Sequence, residues 1–298
     1  MVLKNQLELR ELENIYCSRD NYKIVDRETP KGVYAKKCYV FFSSHSIYYP
    51  NSDEIFEAVI VRNDRFEWVN CIPPDYSRAI FLRDLKKQWY FTGINSNINS
   101  IERLKLWLSK QVSGYDEVIF VGSSAGGYVA TLFGVALGVD RVFNFAGQFF
   151  LRDFIKSALD RELNPILVKY SETESHKYLY NISDYLKLCS SKIYYFFPRH
   201  SEDDVFQFRK IHDAKNGIEV FSFNSACHGI PFPVYSLPDL ISKSKHDLEK
   251  LAAMYKGRSI NGFLFSIKIS GFGKFVRFAI LKIISRFFKS AKRKSFNY

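Results

Sequence analysis

At 298 residues, 47% of them hydrophobic and 17% aromatic, the chain can bury a large core and is excluded from the disordered class. Its five cysteines, at 17, 38, 71, 189 and 227, contain no C-x-x-C spacing. That argues against zinc and against a disulfide framework, so reduced thiols and a cytoplasmic location are expected.

The net charge of +12 is concentrated at one end: residues 256–298 hold eleven Lys and Arg and no Asp or Glu, while the rest holds 32 basic and 31 acidic residues. A neutral body with a cationic end points to a local anionic partner, not to nucleic acid, for which there is no basic stripe or recognition motif. The opening residues Met1–Glu8 are polar and charged, so no signal peptide is expected. No run of about 18 uncharged apolar residues exists, so no membrane-spanning helix is expected either.

In chain order, the pattern predicts a short helix near Leu7–Glu13 and a strand near Tyr22–Val25. Tyr39–Phe42 reads as a buried strand ending in Ser43-Ser44-His45-Ser46, a small polar loop at a strand's end. Phe56–Val61 and Ala79–Leu82 read as further strands, separated by Pro73-Pro74, and Gln88–Gly93 closes this half. Ile101, Leu104, Leu108 and Val112 recur at three- and four-residue steps, an amphipathic helix.

That helix leads into the stretch around which the chain is organised. Val118–Val121 is a fully apolar strand, and it runs into Gly122-Ser123-Ser124-Ala125-Gly126 and then an apolar helix. Gly122-x-Ser124-x-Gly126 is the G-x-S-x-G pattern of a nucleophile elbow. A serine on a tight strand-to-helix turn needs nearly side-chain-free neighbours, and the helix N-terminus behind it favours developing negative charge.

Beyond it, Arg141–Phe145 is the next parallel strand, and residues 149 to about 190 form a helical, irregular insertion broken at Asn164-Pro165. Its aromatic content fits the roof of a pocket or plain core packing equally well. Lys192–Phe197 is a strand followed by Pro198-Arg199-His200, and Ser201-Glu202-Asp203-Asp204 opens a helix. Gly217–Phe223 is the last strand, followed by Asn224-Ser225-Ala226-Cys227-His228-Gly229, and a helix from about Pro238 to Tyr255 ends the body.

A serine, an acid and a histidine thus fall on three loops at the carboxyl ends of expected parallel strands, where open α/β sheets bind ligands. Ser124 is the expected nucleophile, His228 the general base, and Asp204 the residue that orients it, with Asp203 as the alternative acid. His200 is the rival histidine, but it would break the Ser…Asp…His chain order. The backbone N–H of Ala125 and one from Ser44 or His45 are the expected oxyanion donors. No His-Glu-x-x-His or clustered carboxylate set calls for a catalytic metal.

From about residue 35 to 255 the chain resembles the α/β-hydrolase superfamily. The run Gly122-Ser123-Ser124-Ala125-Gly126-Gly127-Tyr128, with Phe133-Gly134 nearby, is similar to hydrolase-like proteins of bacterial surface-polysaccharide clusters, capsule O-acetyltransferases among them. The His-Gly-Gly-Gly oxyanion motif of lipases is missing, which speaks against an ordinary lipase. The resemblance implies an α/β fold with a mostly parallel central sheet flanked by helices. It also implies a Ser124–Asp204–His228 triad and acetyl-CoA as acyl donor to a polysaccharide hydroxyl. An esterase using water, or a catalytically silent scaffold, is the alternative.

The expected division is a catalytic domain over residues 1–257 and a basic amphipathic tail over 258–298. On a helical wheel Val276, Ile280, Ile283, Ile284 and Phe287 share one face, flanked by Leu281 and Phe288. Lys282, Ser285, Arg286, Lys289, Lys292 and Arg293 lie opposite. This is the pattern of a helix lying in an anionic membrane surface, which would place the protein at the inner face of the cell membrane. A terminal helix docked on its own domain is the other reading of the same pattern.

Overall fold

The computed structural model describes residues 5–28, 35–172, 176, 179–186, 189–211 and 217–294, with the side chains of 184, 283 and 285–294 left out. The tail positions Ile283, Ser285, Arg286, Phe287, Phe288, Lys289, Lys292 and Arg293 therefore lie outside the described side chains.

The chain opens with α1 (Leu12–Ser18), β1 (Tyr22–Asp26), β2 (Lys37–Phe42), α2 (Asp53–Phe56) and β3 (Arg78–Leu82). It continues through α3 (Ile101–Gln111), β4 (Glu117–Ser123), α4 (Ala125–Leu137) and β5 (Arg141–Phe145). The insertion carries α5 (Ala158–Leu163), α6 (Pro165–Ser171) and α7 (Ser183–Leu186). Then come β6 (Lys192–Pro198), α8 (Glu202–Lys210), β7 (Ile218–Phe223), α9 (Leu237–Ile241), α10 (Lys245–Tyr255), α11 (Gly262–Ser270) and α12 (Phe272–Lys294).

The seven strands form one sheet in the order β1-β3-β2-β4-β5-β6-β7, parallel except for β1, which runs antiparallel to β3. The near-continuous apolar sequences of β2 to β6 follow from burial on both faces, whereas the outer strands β1 and β7 are only partly buried. Along β2, Cys38, Val40 and Phe42 face one core, with α3, α4 and the insertion, while Tyr39 and Phe41 face the other, with α9, α10 and α11. The second core is largely aromatic: Phe145, Phe196, Phe221, Phe223, Phe232 and Phe265 meet at ring separations of 4.6 to 6.4 Å.

The sheet order positions the site. After β2 the chain adds β3 on one side and then crosses to lay β4 on the other, so the order reverses at the β2–β4 pair. A reversal of this kind opens a crevice beyond the strand ends, flanked here by the loop after β2 and the turn after β4.

Three expectations are corrected. Phe56–Val61 is not a strand: α2 runs into a π-helical segment over Glu57–Arg62. Ser52 caps this helix by accepting from Ile55 N–H, and Phe56 and Ile60, four apart, are the buried pair. The helical period therefore overrides the local β propensity of Val59-Ile60-Val61. The opening helix is α1, beginning at Leu12, with only a 3₁₀ turn over Gln6–Glu8. The helix expected over Pro238–Tyr255 is two, α9 and α10, because Ser244 caps a new start by accepting from Asp247 N–H.

The segment beyond residue 257 begins inside the body. Ile260 N–H donates to Ser222 O and Ile260 O accepts from Asn224 N–H, both at 2.8 Å, and Phe265 is fully buried. Gly271 (φ 82°) separates α11 from α12. The first turns of α12 are tied down by Lys274 to Asp239 at 2.7 Å and by Phe278 against Tyr235 at 4.7 Å. Ile280, Leu281 and Ile284 further along are exposed. Among the described residues no helix is long and apolar enough to cross a membrane.

Candidate active site

Ser124 stands at the junction of β4 and α4 with φ 52° and ψ −123°, a strained conformation for a residue with a Cβ. The turn closes because its flanking glycines lack side chains. A Cβ on Gly122 would come within 2.2 Å of Gly126 O, and one on Gly126 within 2.3 Å of Phe42 O. The first turn of α4 thereby lies directly on the end of β2, and the serine hydroxyl is pushed out over the strand ends.

Asp204 enters from α8, which starts at the N-cap Ser201. Asp204 and Gln207 share the inward face of this helix, three residues apart, and both are buried, whereas Asp203 is exposed. His228 comes from the loop after β7. Its Nδ1 lies 2.9 and 3.0 Å from the two Asp204 carboxylate oxygens, and its Nε2 lies 2.8 Å from Ser124 Oγ. Three side chains separated by up to 104 positions in sequence thus form one hydrogen-bonded line.

Burial alone would lower the His228 pKa, but the hydrogen bond and charge of Asp204, with a smaller share from Asp203, reverse this and raise it above 6.5. The imidazole is 43% exposed on its outer side while Asp204 is 1% exposed. The His228 imidazole therefore faces solvent and the Asp204 carboxylate does not. His200 lies elsewhere, with its Nε2 2.8 Å from Asn224 Oδ1.

No family model matches this chain, and no curated protein does. Among solved structures, a capsule O-acetyltransferase of Neisseria meningitidis serogroup A is similar at 12% identity, covering 69% of this chain and 83% of that one, with a TM-score of 0.46. A histidine variant of the same enzyme in complex with CoA is similar at 13% identity, over 80% of this chain and 91% of that one, at 0.43. Esterase 2 of Thermogutta terrifontis is similar at 14% identity, over 72% and 82%, also at 0.43. Likeness this distant assigns no activity to the chain.

The loop after β2 departs from expectation at one residue. Ser44 N–H donates to Glu67 Oε2 at 2.6 Å and its hydroxyl to Glu67 Oε1 at 2.8 Å. That N–H is therefore engaged, and of the two backbone donors expected in this loop His45 is the one left for an oxyanion. Ala125 is the first residue of α4, where a helix leaves its N–H groups without intrahelical acceptors. Burial, then the charges of Lys87 and His228, push the His45 pKa down to about 3, so this ring is neutral and no rival base. Burial raises the Glu67 pKa, against the opposing pull of its two bonds from Ser44.

One further side chain reaches Ser124, and a second holds the first; the sequence pattern singled out neither. Gln148 Nε2 lies 3.3 Å from Ser124 Oγ, and Gln148 Oε1 accepts from Trp89 Nε1 at 3.2 Å. Trp89 also packs edge-on against His45 at 4.6 Å and against Phe154 of the insertion at 5.0 Å. Neither belongs to a motif of fixed spacing. The one available signal was their place at strand ends: Gln148 three residues beyond β5, Trp89 seven beyond β3.

The insertion is fastened at its base. Leu151 N–H donates to Tyr180 O, Ile182 N–H donates to Phe149 O, and Gln207 Oε1 accepts from the N–H groups of Phe149 and Phe150. Gln207 on α8 thus ties the start of the insertion to the helix that carries Asp204.

Proposed function

We propose that this chain is a serine-dependent acyl-transfer enzyme, with acetyl-CoA as donor and a hydroxyl of a surface polysaccharide as acceptor. The observation that carries the enzymatic part is the unbroken line Asp204–His228–Ser124, with each contact at 2.8 to 3.0 Å.

In this reading Ser124 Oγ attacks the donor carbonyl as its proton passes to His228 Nε2, and Asp204 holds the Nδ1–H tautomer and stabilises the imidazolium. The N–H groups of Ala125 and His45 receive the carbonyl oxygen as it becomes negative. Collapse returns the proton to the leaving thiolate and leaves an acyl-serine. The acceptor hydroxyl then repeats the sequence in reverse, deprotonated by His228. Acetyl-CoA and the polysaccharide rest on the resemblance of the Gly122–Tyr128 run. Ester hydrolysis is the second reading, favoured by the outer face of His228, which is open to water.

The cationic end supports a place at an anionic membrane surface. Phe263, Leu264, Phe272, Ile280, Leu281 and Ile284 are exposed on α11 and α12, and the segment carries basic but no acidic side chains.

The purified protein is to be given acetyl-CoA with and without a hydroxyl-bearing capsular glycan, with Ser124→Ala as the blank. Transfer predicts that CoA release rises with the glycan and that acetyl ester appears on it. CoA release that is the same with and without glycan, with free acetate as product, would replace the transferase by a hydrolase.

A further inference from the structure

Gln148 is 6% exposed and the mechanism above gives it no task. Its position is over-determined. Asn144, fully buried at the end of β5, donates to Gly127 O at 3.1 Å and to Thr131 Oγ1 at 2.8 Å on α4, and its Oδ1 accepts from Gly147 N–H at 2.7 Å. Ala146, at φ 50°, donates its N–H to Phe196 O at 2.8 Å. Phe149 N–H is held by Gln207 at 2.8 Å. The residues on both sides of Gln148 are therefore fixed to the two helices that carry Ser124 and Asp204.

The side chain is fixed as well. An indole N–H can only donate, so the Gln148 atom facing Trp89 Nε1 is the carbonyl oxygen and the atom facing Ser124 Oγ is the amide nitrogen. Ser124 Oγ then accepts from Gln148, and its own proton is left for His228 Nε2. The Nδ1–H of His228 points to Asp204. Trp89, Gln148, Ser124, His228 and Asp204 make one chain in which every donor points the same way, the arrangement in which hydrogen bonds polarise one another.

We propose that Gln148 is a fourth catalytic residue, an amide donor to Ser124 Oγ whose orientation is set by Trp89, and that it acts most in deacylation. This rests on the acyl-serine reading. Before attack the amide only directs the hydroxyl proton, and a donor to Oγ also holds back the lone pair that attacks. In deacylation the acceptor's oxygen bonds to the acyl carbon as its proton goes to His228. The tetrahedral intermediate then breaks the bond from carbon to Oγ, and the electron pair moves onto Oγ. That oxygen takes the proton from the His228 imidazolium. Negative charge grows on Oγ in this step, so a fixed N–H donor stabilises the transition state more than the acyl-serine before it.

The test is pre-steady-state acetylation of the full chain by p-nitrophenyl acetate, comparing wild type, Gln148→Met and Trp89→Phe. The acetyl group is mapped to the Ser124 peptide by mass spectrometry. Methionine keeps the length of glutamine without the donor, and phenylalanine keeps a ring without the N–H. The inference predicts deacylation slowed about tenfold in Gln148→Met, what one neutral hydrogen bond is worth, with acylation changed less and acetyl-enzyme accumulating. Trp89→Phe shows the same bias, smaller. Should wild type acetylate on Ser124 while Gln148→Met shows unchanged rates in both phases, or equal losses in both, Gln148 has no such role and the acyl-serine reading stands. Should wild type acquire no acetyl on Ser124, both fall together.

Discussion

His228 sits between opposing influences, and its titration reports them. Burial pulls its pKa down and Asp204 pulls it up, with the second winning. In the proposed mechanism the neutral imidazole is the base, so activity should rise with pH through this raised value, and the acid limb of kcat/KM is expected above pH 6.5. The pair's contribution to folding has the opposite sign: it is complete below the unfolded value of about 6.5 and lost as pH climbs through the folded one. In Asp204→Asn the supporting charge is gone while burial remains, so the acid limb moves below pH 6.5. Turnover should fall by about 10⁴-fold, because the tautomer is no longer held. A pH–rate profile on an ester substrate reads both. An unshifted limb with near-wild-type turnover would remove Asp204 from the relay.

At the scale of elements, much was legible because the determinants are local. The apolar runs of β2, β4, β5 and β6 and the glycine spacing around Ser124 fix strand, turn and helix from a few adjacent residues. The Ser…Asp…His order drew Asp204 and His228 from strand-end loops without knowledge of their partners. What stayed hidden depends on distant contacts. Val59-Ile60-Val61 reads as a strand until Ser52 and the buried Phe56–Ile60 pair are seen to impose a helix. The engagement of Ser44 by Glu67 spans 23 positions, and that of Gln148 by Trp89 spans 59. No spacing rule reaches so far.

The same scale holds the prediction for α12. Ile280, Leu281 and Ile284 lie exposed on a segment with only cationic charges. On the proposed membrane reading, such a face would bind an anionic bilayer through buried apolar area plus about 1 kcal/mol per basic residue near the surface. The full chain should co-sediment with phosphatidylglycerol-containing vesicles, less at high salt. Ile280→Ser combined with Leu281→Ser should weaken this at least about tenfold while leaving ester turnover unchanged. Wild type that stays in the supernatant at low salt would leave the segment a terminal helix of the body.

Across the whole molecule, one topological event brings the site together. The reversal of strand order at β2–β4 opens the crevice, β4 aims Ser124 into it, and β6 and β7 end in the segments that bring Asp204 and His228. The insertion joins through Trp89 and Phe154 on one side and Gln207 on the other, so its position and the polar line over Ser124 are mechanically connected. All of this depends on Ser124 being a nucleophile activated by His228. The most direct measurement is covalent labelling of the purified chain with a fluorophosphonate, with the modified residue located by peptide mass spectrometry. Wild type should be labelled at Ser124, His228→Ala far more slowly, and Ser124→Ala not at all. Wild type that resists the probe, or Ser124→Ala that takes it up equally, would contradict the acyl-serine account.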